Sequence, residues 1–106
     1  MKSNYFAVIF SSTLADLENV KYHQFSKKMF EEVQHASGFL GMESYRESNG
    51  KGVTISYWET EADIEKWKIN TEHLLAKKYG KQIAYLDYQL RICEVKRAYD
   101  FSQNIK

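Results

Sequence analysis

The sequence predicts an α+β domain of order βαββαβ, an antiparallel four-stranded sheet with its helical regions on one face. Three observations carry this. Runs rich in aromatic, β-branched and other apolar residues stand at 5–10, 39–47, 53–58 and 83–95. Between the first two lies a stretch with apolar residues three and four apart, and a second helical region separates the last two. Between the second and third runs there is only Ser48-Asn49-Gly50-Lys51-Gly52, the composition of a hairpin loop. This split βαβ order is that of the ferredoxin-like fold.

Each element has its own reason. Tyr5 to Phe10 is a short strand, and Ser11-Ser12-Thr13 reads as the loop that leaves it. From about Leu17 to His35 the chain reads as helix: Tyr22, Phe25, Met29, Val33 and Ala36 form one apolar stripe, with Lys27, Lys28, Glu31, Glu32 and Gln34 off it. Gly38 stands where a left-handed cap would close that helix. In the third strand Val53, Ile55 and Tyr57 share one face, and Thr54, Ser56 and Trp58 the other. Thr60 is an N-cap with Asp63 three residues on, and the helix it opens turns Ile64 and Trp67 to one side. Ile69-Asn70-Thr71 reads as a break, with Asn70 or Thr71 capping a short second helix that ends at Gly80 and carries His73 in its first turn. In the last strand Leu86, Tyr88, Leu90 and Ile92 face one way, and Asp87, Gln89, Arg91 and Cys93 the other. The tail from about residue 100 is polar.

Composition narrows the function. The 106 residues suffice for one domain, and a hydrophobic content of 43% beside 27% charged residues is that of a soluble globular chain. A net charge of +1, with Lys27-Lys28 answered by Glu31-Glu32, gives no electrostatic footprint for nucleic acid. The single cysteine, Cys93, excludes an internal disulfide and fits a reducing compartment. The apolar run near the N-terminus is too short for a signal peptide or a span, so the expectation is a cytoplasmic protein without a membrane partner. No two histidines share a metal-ligand spacing with a carboxylate, and His23 and His35, among charged neighbours on the long helix, are expected to be exposed. Aromatic residues reach 15%, more than a small core needs, which points to a pocket or an interface.

A sheet covered by helices on one side leaves its other face to water or to a partner. The last strand is long, and its second face mixes Gln89 and Arg91 with Tyr85, Cys93 and Val95. The expectation is a homodimer closed through that face.

The segments GFLGMESYR, ISYWETEADIEKWK and YLDYQLRICEVKRAY resemble those of the antibiotic biosynthesis monooxygenase domain family, over nearly the whole chain from Tyr5 to Tyr99. The resemblance implies a dimeric α+β barrel. It also implies one of two chemistries, or neither. Cofactor-independent monooxygenases of the family oxidise phenols with an asparagine, a tryptophan one helical turn later, and a tyrosine six residues beyond. Here Asp63 stands for the asparagine, Trp67 matches the tryptophan, and His73 stands for the tyrosine. Haem degraders use an asparagine near the end of the first strand and an iron-ligating histidine ten residues after the tryptophan. Those places hold Ile9-Phe10-Ser11 and Lys77, so the haem reading ranks below the other.

The candidate site follows. Trp67 would stack on a small aromatic ligand, His73 would take or orient its proton, and Arg91 would stabilise developing negative charge. Asp63 and Tyr57 join Trp67 as substrate contacts. No cofactor and no metal is expected. The competing readings are a module that binds a planar molecule without turning it over, and a Trp67 that is simply core. For Arg91, mid-strand, a structural ion pair across the sheet or the dimer is the preferred of its two readings.

Overall fold

The computed structural model describes residues 4–74 and 85–103, without the side chains of His73 and Leu74. The order is β1 (Tyr5–Leu14), α1 (Val20–Val33), β2 (Phe39–Arg46), β3 (Lys51–Trp58), α2 (Glu61–Leu74) and β4 (Tyr85–Val95). The four strands pair antiparallel throughout, in the spatial order β2-β3-β1-β4. The predicted ferredoxin-like architecture is the observed one.

Side-chain alternation gives the sheet two unlike faces. Phe6 and Val8 of β1, Trp58 of β3, and Phe39 and Met42 of β2 pack with Val33 of α1 and with Ile64 and Trp67 of α2. That is the helix-covered side, and the core sits there. Trp58 is its centre: it is fully buried, and its indole N–H donates to Ser56 Oγ at 2.9 Å. The opposite face carries Tyr5, Ala7 and Ile9, with Val53, Ile55 and Tyr57 beside them.

Several readings differ from expectation. Ser11-Ser12-Thr13 is strand: each pairs with both neighbours, to Val53, Gly52 and Lys51 on one side and Gln89, Tyr88 and Asp87 on the other. A central strand satisfies its backbone from both sides, so polar side chains do not end it. The first helix starts later than Leu17, because the Asn19 side chain caps it by accepting from the Tyr22 N–H at 3.0 Å. The break at Ile69-Asn70-Thr71 is absent. Helix α2 runs through it, and the Thr71 hydroxyl donates to the Trp67 carbonyl one turn back at 2.9 Å. Finally, Tyr85 belongs to the helix side, because the pairing of β1 and β4 slips between Thr13 and Leu14 and reverses the alternation there. Its ring meets Phe10 at 5.4 Å and Tyr22 at 5.9 Å.

Candidate functional site

The start of α2 is built from short polar residues. Thr60 Oγ1 accepts from the Asp63 N–H at 3.1 Å and donates to Asp63 Oδ2 at 2.7 Å, while Ser37 donates to Oδ1 at 3.0 Å. These hydroxyls, Thr60 first and then Ser37, hold the Asp63 carboxyl below the usual carboxylate range. Gly38 makes the close approach possible. It sits at φ +76°, and a Cβ there would fall 1.9 Å from Asp63 Oδ2. The turn after α1 is thereby fastened to the first turn of α2.

This fastening sets a groove of about 260 Å³ between the end of α1 and α2, lined by Glu32, His35, Asp63, Lys66, Trp67 and Asn70, among others. Trp67 is half-buried and forms its apolar wall. Behind it lies Trp58, with the two ring centroids 6.2 Å apart and the planes at 33°. A π-face backed by a rigid core and rimmed by a cation, an imidazole and an amide suits a small planar ligand with a polar edge.

Of the predicted site residues, Asp63 and Trp67 come together at this groove, where Asp63 spends both oxygens on hydroxyl groups. Tyr57 and Arg91 do not. Strand alternation puts both on the uncovered face of the sheet, in register with Ala7 and Ile9 respectively. The Tyr57 hydroxyl donates to Glu43 Oε1 at 2.8 Å, a bond that pushes its phenol up, and Arg91 donates to Gln89 Oε1 at 2.7 Å. His73 falls inside α2 rather than at a helix start, and its side chain, like Lys77, lies outside the described residues.

Sequence reasoning missed His35, Lys66 and Asn70. Lys66 and Asn70 had a visible signal, standing three residues after Asp63 and three after Trp67 on the same helix. His35 had none, because tertiary packing, Val33 against Ile64 and Ser37 bonded to Asp63, brings the end of α1 beside α2.

A second cluster was also missed. Arg46, half-buried at the end of β2, donates to the carbonyls of Gly50 at 2.6 Å and Ser12 at 3.4 Å, to Ser12 Oγ at 2.8 Å and to the Tyr22 hydroxyl at 3.3 Å. Its guanidinium lies 5.6 Å from the Tyr22 ring centroid. It clamps β1, the β2–β3 hairpin and α1 together. Next to it the half-buried Tyr85 phenol is pushed up, chiefly by loss of solvent.

Fold and groove together define a small ferredoxin-like domain with an indole-walled cleft on its helical side. The chain belongs to the antibiotic biosynthesis monooxygenase family, whose model matches residues 20–79. It is 38% identical over 100 residues to the uncharacterized protein YqjZ of Bacillus subtilis, covering 94% of this chain and 87% of that one. It is 26% identical over 92 residues to the jasmonate monooxygenase ABM of Pyricularia oryzae, covering 85% of this chain and 43% of the fungal protein, so it spans less than half of that relative. Among solved structures it is similar to SnoaB, a cofactor-independent oxygenase from Streptomyces nogalater. The TM-score is 0.67 at 9% identity, over 92% of this chain and 97% of that one, a likeness of fold. Among the described residues no helix is long and apolar enough to cross a membrane.

Proposed function

We propose that the protein is a monooxygenase that oxidises a small aromatic or phenolic compound with dioxygen, without flavin or metal, in the groove walled by Trp67. The observation that carries this is the half-buried Trp67 indole, backed by Trp58, with His35, Lys66 and Asn70 at its rim. The family supports the reaction class. The ligand lies flat on Trp67, His35 takes the phenolic proton, and Lys66 offsets charge on the phenolate and on reduced oxygen. Without an external reductant the substrate supplies all four electrons. The ring C–H carbon para to the phenolic hydroxyl becomes a carbonyl as the phenol becomes a quinone, and the C–H and O–H hydrogens leave with the second oxygen atom as water.

We also infer a homodimer closed through the uncovered sheet face, where Ile9, Val53 and Ile55 are only partly buried in the single chain. Cytoplasmic location belongs to the same reading and rests on composition.

An oxygen-electrode screen against phenols and quinols tests the reaction. The expectation is stoichiometric oxygen uptake, abolished in Trp67→Phe and reduced at least tenfold in His35→Gln. His73→Ala separates the two histidines: loss there, with His35→Gln unaffected, moves the proton to His73. Tight binding of the same compounds without oxygen uptake would turn the protein into a binding module and remove the oxygenase reading.

A further inference from the structure

The strand register, read across the uncovered face, gives rows of four side chains in the order β4, β1, β3, β2. The central row is Arg91, Ile9, Ile55 and Glu43. One neighbouring row is Cys93, Ala7, Tyr57 and Gly41; the other is Gln89, Ser11, Val53 and Tyr45. The central row is polarised. A cation stands at one edge, a carboxylate at the other, and two isoleucines lie between. Arg91 and Glu43 are both exposed, and the partners that the structure gives them in their own chain are uncharged. Glu43 is also held in position: Tyr57 donates to one of its oxygens at 2.8 Å and Tyr45 to the other at 3.1 Å. Both phenols are pushed up by that carboxylate.

Direction matters as much as charge. Every neighbouring pair is antiparallel, so the two edge strands, β2 and β4, run in opposite directions. A two-fold axis between two copies, parallel to the strands, sets β4 of one over β2 of the other and keeps each row level with itself. Arg91 then faces the partner's Glu43, Ile9 faces the partner's Ile55, and the small Ala7 faces the partner's Tyr57. Charge and volume are complementary on both sides at once. Packed sheets stand about 10 Å apart, a gap that an arginine and a glutamate bridge together. An axis across the strands would instead lay β4 on β4 and turn like charges toward each other in the central row.

We propose that two copies of this chain pair about an axis parallel to the strands, with Arg91 of each joined to the partner's Glu43. The proposal rests on the homodimer inferred above and fixes its register.

Sedimentation of the full chain tests it, with circular dichroism confirming that each variant is folded. The wild type is expected at twice the monomer mass of 12.5 kDa. Arg91→Glu alone and Glu43→Arg alone each set like charges at both contacts and raise the dissociation constant at least about 100-fold. Mixed one to one, these two variants complement each other at both contacts and re-form a heterodimer; the double variant R91E/E43R re-forms a homodimer. Glu43→Gln, which keeps the side-chain size, weakens the dimer by a smaller factor that shrinks in high salt. A monomeric wild type would overturn the dimer itself. A dimer that tolerates either single charge reversal, or reversals that fail to rescue each other, would overturn this pairing and leave the dimer standing.

Discussion

The indole of Trp67 rests 6.2 Å, centroid to centroid, from that of Trp58, and only the first of the two reaches the groove. The pair divides stability from function. Trp58→Ala empties the centre of the core and is expected to cost about 3–5 kcal/mol. Trp67→Phe keeps an aromatic wall and is expected to cost on the order of 1 kcal/mol while removing ligand binding. Urea unfolding beside fluorescence titration with a phenol measures both. Equal destabilisation by the two changes would make Trp67 plain core.

Thr60→Ala removes the cap that Asp63 leans on, with an expected loss of about 1 kcal/mol. The pH dependence follows from the lowered Asp63 carboxyl. A depressed folded-state value means the contribution is present above the unfolded value, near 3.8, and is lost as pH falls through the folded one. Asp63→Asn should therefore lower stability at neutral pH and flatten the acid limb of the melting-temperature profile. An acid limb identical to the wild type's would remove the assignment.

Gly38→Ala meets two obstacles at once, a positive φ and the Asp63 carboxylate. The left-handed backbone alone costs roughly 1–2 kcal/mol, and the collision adds to it. Pairing the change with Asp63→Ala should recover the collision part only, which a double-mutant cycle reads directly.

Arg46→Met leaves the buried Ser12 without its guanidinium donor, and an unpaired buried polar group costs about 1–3 kcal/mol. Arg46→Lys should recover little, because one ammonium cannot reproduce the fork that reaches Gly50, Ser12 and Tyr22 together. Thermal melts of the two variants give the comparison; full recovery by lysine would show that charge alone matters.

Tyr85 behaves in the opposite sense to Asp63. Its phenol is raised by burial, so its contribution is full below the ordinary value of 10.0 and is lost as pH climbs past it. Tyr85→Phe should blunt the alkaline fall in stability. An unchanged alkaline limb would place the ring in solvent.

Much of this fold was legible because local signals agreed with one another. The hairpin, the Thr60–Asp63 box, the alternation of β3 and the burial of Trp58 all follow from spacing. The rest depended on neighbours that spacing does not name. Ser11-Ser12-Thr13 looks like a loop until two flanking strands satisfy it, and Asn70-Thr71 looks like a cap until the Thr71 hydroxyl turns back into its own helix. Arg91, singled out for a charge in mid-strand, and Tyr57, read as a substrate contact, join Trp67 in the sequence reading, yet strand parity sends both to the far face. His35 enters the groove only through a tertiary contact.

The two fasteners at opposite ends of the sheet answer to different conditions. Arg46 grips main-chain carbonyls and hydroxyls, none of them a carboxylate, so acid leaves its acceptors unaltered. The knot between the Ser37 turn and α2 is tied through a carboxylate, and protonation unties it. Strong acid, below the ordinary carboxylate value of 3.8, should therefore loosen this molecule from one end. The groove's own hinge would slacken first, while the hairpin pole stays shut.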